Sequence, residues 1–414
     1  MEKARRLTKT WLLILAAGGT LLYLGLGIFS EYWLFLTQHP GGDDFYIYFH
    51  AFLKAISGAN PYQPYEIGVS FVNHPFVLSL VSLFSWSRNF HFSSYLWMAA
   101  SAIAWICVIW LVYLLVGRGL QLAGTGHLYL VWIFILFLCF APFWETIHLG
   151  QINIFALLAL CLMFYFEQKE KSLVAGLFLA LAIVLKTSPV IFVLYYLAIR
   201  RFRLLISCVV SMVILSIIPA IQFSPAVLAN FWGILPHILG EINLSKYNES
   251  FMSLGLRLVS HLGLAGWAPL ISIAQKVLLL AVLGAIIIPA FWRPGTKAAR
   301  LWEFALMVMA MTLFSPLVWY HHYVFLALPL AILLIGPDIR CRIAGFALIF
   351  MIQVERLFDD KVAFFSLPAT LAGLVLLAFG LWIYLHEVPK INPDSVTAGG
   401  LLSRLKRQIF NTHT

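Results

Sequence analysis

The sequence predicts an all-α polytopic membrane protein, a bundle of about twelve transmembrane helices with interfacial helices in its first extracytoplasmic loop. Three observations carry that expectation. The chain of 414 residues is 62% hydrophobic and 11% charged, with a mean hydropathy of +0.93, whereas a soluble domain carries about 25% charged residues. Its apolar runs recur near the roughly 20 residues that a helix needs to cross the hydrocarbon core. Its basic residues lie in short runs between those spans.

The first apolar run, Trp11 to Phe29, follows Lys3, Arg5, Arg6 and Lys9. It exceeds a signal-peptide core and has no small-residue cleavage site, so it reads as a retained span. Residues 94–116, 128–143, 151–166, 204–221, 271–292, 301–318, 321–336 and 363–386 fit further spans, and the shorter 342–357 is counted with them. His74–Trp86 has 13 residues, a helix of about 20 Å. That is too short to cross, and the segment is expected to lie along the outer interface.

Residues 172–199 decide the parity of everything downstream. A helix of 28 residues would be about 42 Å long, too much for one crossing and too little for two. Lys186-Thr187-Ser188-Pro189 interrupts it. A lysine in mid-span costs about 2.5–3.5 kcal/mol on insertion scales, and proline disfavours helix in the residue before it. Two short helices meeting at a polar break suit this chemistry better, and such breaks are tolerated where they line a cavity. Two spans here make twelve, with both termini cytoplasmic. Nineteen of the 27 basic residues then lie inside and six outside (Lys54, Arg88, Lys246, Arg257, Arg356 and Lys361). The positive-inside rule asks for that split; a single span would move Arg200, Arg201 and Arg203 outside.

The same distribution accounts for the net charge of +10 without nucleic acid. The five cysteines (Cys107, Cys139, Cys161, Cys208 and Cys341) show no paired spacing, so neither a disulfide framework nor a zinc site is indicated. One domain, 1–414, is expected, with large extracytoplasmic loops at 30–93 and 222–270 and a cytoplasmic tail at 387–414.

In this topology the unusual polar stretches share the outer face. Asp43 and Asp44 open an aromatic-rich stretch; they fit first a helix cap and solvated turn, and after that a general base for a sugar hydroxyl. Lys186 at its break is an intramembrane ionisable residue, suited to an anion such as a lipid phosphate or to snorkelling. His321 and His322 point about 100° apart on a helix and make a poor chelate, so phosphate donation or a structural hydrogen bond is the expected use. Arg257 fits a second anion contact or an interfacial anchor. Gln151 and Asn153 at the top of a span call for hydrogen bonds inside the bundle. Asn248-Glu249-Ser250 and Asn243-Leu244-Ser245 are formal glycosylation sequons, a pattern frequent by chance. No Walker loop, dinucleotide fingerprint or acid-rich cytosolic loop is present, so an enzyme here would take its donor from the membrane.

Asp44-Phe45-x-x-Tyr48, Gly58-x-Asn60-Pro61-Tyr62, His74-Pro75, Gly150-Gln151-x-Asn153, Lys186-x-x-Pro189 and Ser315-Pro316-x-x-Trp319-x-His321-His322 follow one another in that order. The series resembles glycosyltransferase family 87, a branch of the GT-C superfamily that includes polyprenyl-phosphate-mannose-dependent α-mannosyltransferases; it covers roughly residues 10–340. The resemblance implies a GT-C-like fold, a catalytic acid in the first outer loop and inversion at the anomeric carbon. It implies hexosyl transfer, with mannose favoured, from a polyprenyl-phosphate sugar to a glycolipid or glycan acceptor at the outer face of the inner membrane. Asp44 matches the family's acid and Asp43 is additional. Lys186, His321 and His322 match donor-phosphate or active-site positions, with Tyr48, Asn60, Tyr62, His74, Gln151, Asn153, Asn248 and Glu249 in support. No cofactor is implied with certainty, a divalent metal remaining open. A lipid-linked-sugar transporter or flippase and a periplasmic glycan ligase or polymerase are the alternatives.

Overall fold

In hydrocarbon each backbone N–H and C=O must be bonded within its own segment or by a close neighbour, which favours helices throughout such a chain. The computed structural model describes Gly27 and residues 42–65, 70–120, 126–138, 140–240, 245, 248–292, 296–335, 339–354 and 367–386. Apart from Gly27, the expected first span at 11–29 lies outside the described residues. So do the tail at 387–414, the sequon at Asn243, and Lys246, Arg356 and Lys361.

Among the described residues there are sixteen α-helices and no strand. The segment expected as the first loop holds α1 (Asp43–Ile56) and α2 (Phe76–Ser82), and α3 (Phe90–Gly119), α4 (Gly126–Leu138), α5 (Ala141–Leu149) and α6 (Asn153–Glu167) follow. Next, α7 (Ser172–Leu185) and α8 (Ile191–Ala198) flank a 3-10 turn at Ser188–Val190. Then α9 (Phe202–Gln222), α10 (Ala226–Gly240) and α11 (Phe251–His261) lead through a second turn, Ala265–Trp267, to α12 (Ala268–Trp292). The chain continues through α13 (Lys297–Leu313), a 3-10 helix at Tyr320–Leu326, α14 (Ala327–Ile335), α15 (Ile339–Val354) and α16 (Leu367–His386).

Among the described residues, four helices are long and apolar enough to cross a membrane: α3, α9, α12 and Ala369–His386 of α16. All four coincide with expected spans. Other expected spans are shorter or broken, for local reasons. The run at 128–143 stops at Leu138, and a separate helix starts at Ala141 with Pro142 in its first turn, where proline needs no hydrogen-bonded N–H. The run at 321–336 is half 3-10 helix, and α14 begins only at Ala327. The segment expected at the interface forms only the seven-residue α2, which buries Val77, Leu78 and Val81. It packs on α9, where Gln222 Nε2 donates to Ser82 Oγ at 2.7 Å. Residues 222–270 contain α10 and α11, which no sequence expectation named.

The break at Lys186 is present, but its arms are short. At 1.5 Å per residue α7 spans about 21 Å and α8 about 12 Å, less than the roughly 30 Å hydrocarbon core. The pair is therefore a hairpin rather than two full crossings. Both of its ends return to one end of the bundle. There Ser207 Oγ donates to the Leu173 carbonyl at 2.7 Å, Tyr196 OH donates to Met163 Sδ at 3.0 Å, and Arg201 pairs with Glu167 at 3.3 Å.

The same basic end holds a buried ionic network on α13, the helix that packs against α3, α12, α14 and α16. Glu303 is 1% exposed. Its Oε2 accepts from Arg300 Nη1 at 2.9 Å and from Tyr195 OH at 2.6 Å, and its Oε1 accepts from Tyr384 OH at 2.9 Å. One carboxylate thus ties α8, α13 and α16 together. Removing one partner of a buried ion pair costs about 3–5 kcal/mol because the other charge stays behind uncompensated. Glu303→Leu is accordingly expected to lower the unfolding temperature of the detergent-purified protein markedly. Glu170→Gln, at an exposed residue, is expected to leave it unchanged; equal melting of the two variants would show that the network does not hold the helices.

Candidate active site

Gly42 precedes α1, and Asp43 and Asp44 occupy its first turn, where the positive end of the helix dipole favours carboxylates. The helix has two faces. Phe45, Tyr48, Phe49 and Phe52 are buried, whereas Asp43, Tyr46 and His50 are exposed. Phe45 packs on Trp97 with ring centroids 5.3 Å apart, and Trp97 Nε1 donates to the Gly150 carbonyl at 2.8 Å. Gly150 ends α5 at φ +67°, and a Cβ there would press on Phe45; a Cβ on Gly42 would overlap the His148 carbonyl. Two glycines therefore let the start of α1 seat directly on the turn between α5 and α6.

That turn carries two amides of opposite use. Gln151 Oε1 accepts from Tyr48 OH at 2.9 Å, which leaves its NH2 to donate to the half-buried Asp44 carboxylate. Burial pushes the Asp44 carboxyl up to about 6, and Asp43 adds to the effect; the Gln151 hydrogen bond and the Lys186 charge oppose it. Two residues on, the buried Asn153 accepts from Lys186 Nζ through Oδ1 at 2.8 Å. Its Nδ2 has no hydrogen-bond partner among the described residues.

Lys186 ends α7 in an extended conformation, φ −149° and ψ 125°. The helix path stops there, and the side chain is delivered to the cluster at the hairpin tip. Besides Asn153, Lys186 Nζ meets His322 Nε2 at 2.7 Å. His322 Nδ1 accepts from the Trp319 backbone N–H at 3.2 Å. The two histidines sit on the 3-10 helix, which turns about 120° per residue, with their rings at 88° to each other and 4.6 Å between centroids. His321 is 3% exposed and its Nε2 has no hydrogen-bond partner among the described residues, while its carbonyl accepts from Thr146 Oγ1 at 3.2 Å. No group of three or more His, Cys, Asp or Glu side chains able to hold a metal occurs among the described residues. Four distant segments, at 43–48, 151–153, 186 and 319–322, are thus brought together. In the buried part of the site a cation and an unpartnered amide N–H stand near one half-buried acid.

The remaining candidates lie elsewhere in the local structure. Asn60 Oδ1 accepts from the Tyr62 N–H at 2.9 Å, and Tyr62 OH donates to the Asn73 carbonyl at 3.0 Å, so both shape the loop after α1. His74 Nδ1 accepts from the Phe76 N–H and its Nε2 meets Ser216 Oγ at 3.1 Å; burial lowers its ring to about 4, which keeps it neutral. Arg257, on α11, directs its guanidinium to the Ser245 carbonyl at 3.1 Å. Asn248 is fully buried and bonds to three backbone groups, which removes it as a glycosylation acceptor; Glu249 is buried beside it. Trp97 and Thr146 buttress the site and were not singled out in the sequence. Each stands in an apolar run where its composition gives no signal, and only its hydrogen bond reveals it.

The family model for glycosyltransferase family 87 matches residues 71–316, more than half of the chain. That range includes Gln151, Asn153 and Lys186, while Asp44 and the His321-His322 pair lie outside it. No curated protein and no solved structure matches the chain. The extent of the family match, over an all-helical bundle with apolar helices long enough to cross a membrane, establishes that the chain belongs to glycosyltransferase family 87.

Proposed function

We propose that this glycosyltransferase moves a mannosyl unit, with inversion, from a polyprenyl-phosphate donor to a glycolipid or glycan acceptor at the extracytoplasmic face of the inner membrane. The observation that carries the reading is the joining of Asp44 and Lys186 through a single turn, Gln151 serving the acid and Asn153 the lysine. The donor's lipid tail stays in the bilayer while its phosphate reaches Lys186, with Asn153 Nδ2 and His321 Nε2 available to its remaining oxygens. Asp44 takes the acceptor hydroxyl's proton as that oxygen bonds to the anomeric carbon, and the bond from carbon to phosphate oxygen breaks on the opposite side. The phosphate departs with the electron pair and needs no proton, so one base suffices. A proton affinity raised towards neutrality suits that base. Asp43, exposed at the helix start, tunes its neighbour. A divalent metal is not required by any of these steps.

The fold is read as a GT-C-like arrangement with cytoplasmic termini, twelve spans when the two short arms of the Lys186 hairpin are counted, and the hairpin preserves the parity of the charge distribution. In a background lacking the native cysteines, Asp43→Cys is expected to react with an impermeant thiol reagent on intact cells, and Lys297→Cys only after permeabilisation. Labelling of Lys297→Cys on intact cells would overturn this orientation.

General base catalysis is worth about 10²–10⁴-fold. Asp44→Asn is expected to lose at least two orders of magnitude in initial transfer rate while still binding undecaprenyl-phosphate mannose, and Asp43→Asn far less. With the Asp44 carboxyl near 6, the base is protonated below that pH. The wild-type kcat/KM should therefore fall tenfold per pH unit on the acid side, and near-normal turnover by Asp44→Asn sinks the assignment. Lys186→Met is expected to weaken undecaprenyl-phosphate binding without loss of folded protein from the membrane. Unchanged affinity would return Lys186 to a structural role.

A further inference from the structure

The segment Asn248-Glu249-Ser250 is distant in sequence from every residue of the proposed machinery, yet it is buried against the strand of backbone that leads into the histidine pair. Asn248 Oδ1 accepts from the Ser250 N–H at 3.1 Å and from the Val318 N–H at 3.0 Å. Its Nδ2 donates to the Pro316 carbonyl at 3.1 Å, and the Glu249 N–H donates to the Val318 carbonyl at 2.6 Å. One amide side chain thus grips the main chain on both sides of Leu317.

The gripped backbone is what holds His322. The Trp319 N–H, next to Val318, meets His322 Nδ1 at 3.2 Å, and the Leu317 backbone also reaches the ring. With Nδ1 anchored there, the opposite nitrogen Nε2 is directed at Lys186 Nζ, 2.7 Å away. The chain of contacts runs from Asn248 through the 316–319 backbone and His322 to the lysine. Proline at 316 supplies no N–H of its own, so its carbonyl and the Val318 N–H are the groups left for an external clamp to take.

We infer that Asn248 is a positioning residue that sets the orientation of His322, and through it the direction of the Lys186 ammonium. The inference rests on the anion-binding role proposed for Lys186, next to which His322 stands. It gives residues 248–250, just before α11, a part in the site without contact with substrate.

A double-mutant cycle tests it, with the affinity of the purified, nanodisc-embedded protein for undecaprenyl phosphate as the readout. His322→Gln and Asn248→Ala are each expected to weaken binding by roughly two- to tenfold, the net worth of a hydrogen bond. The double variant should bind like His322→Gln alone, because the clamp has nothing left to orient. Asn248→Asp keeps the acceptor for the Val318 N–H and should fall between wild type and Asn248→Ala; it also serves if the alanine variant does not fold. Ser250→Ala removes the side-chain cap of α11, the Ser250 Oγ that accepts from the Ser253 N–H, and should leave affinity unchanged. Additive losses in the double variant, wild-type affinity in Asn248→Ala, or an equal loss in Ser250→Ala would overturn the positioning role. Wild-type affinity in His322→Gln would overturn it as well, whereas wild-type affinity in Lys186→Met would overturn the anion-binding reading on which it stands.

Discussion

The arrangement depends on keeping a lysine side chain inside a helical bundle. Removing an ammonium from water is costly unless polar partners replace the water, so the chain must bring acceptors to Lys186. Asn153 Oδ1 does this at 2.8 Å, and His322 Nε2 stands 2.7 Å from the same nitrogen. The requirement propagates outward. Asn153 must be buried at the first turn of α6, His322 must be held by the backbone before it, and α7 must stop at Leu185 so that the side chain can leave the helix path. A continuous helix through residues 172–199 would satisfy none of these demands.

The basic end of the bundle resembles a foundation for this tip. α6 runs from Asn153 in the cluster to Glu167, about 21 Å away, where Glu167 meets Arg201 just beyond α8. Tyr195 and Tyr196, near the end of α8, are fixed by Glu303 and Met163. The Lys186 hairpin is therefore gripped at its base by one set of polar contacts and at its tip by another. The Glu303 network is buried on α13, where an unpaired carboxylate would be untenable, so its tyrosines and arginine form a closed set. Rigid mounting of this kind suits a site whose proposed chemistry relies on placement of charges rather than on a resident cofactor.

Much was legible before any coordinates. Low charge content and recurrent apolar runs indicate membrane-crossing helices, because the bilayer imposes a length and a composition that few other constraints imitate. The helix break at Lys186 follows from local chemistry, a lysine three residues before a proline in an apolar run. Gln151 and Asn153 stand out because uncharged amides are costly in lipid and so demand partners. The boundaries of short helices were not legible. The end of α4 at Leu138, the 3-10 form of Tyr320–Leu326 and the existence of α10 depend on how neighbouring segments pack, and an apolar run alone cannot distinguish a crossing from a buried fragment.

Family membership and helical class were thus carried by motifs and composition, which act through local physics and survive without a structure. Which acid faces the lysine, and which asparagine grips the histidine segment, were decided only by tertiary structure. Asp43 and Asp44 are neighbours of identical chemistry, and it is the seating of α1 on the Gly150 turn that leaves one in water and turns the other toward Gln151. Asn248 likewise reads as a sequon until the fold buries it against Pro316 and Val318. Sequence specifies which groups are present, but a hydrogen bond needs two of them within about 3 Å, and for residues 68 and 70 positions apart only the packed helices bring that about.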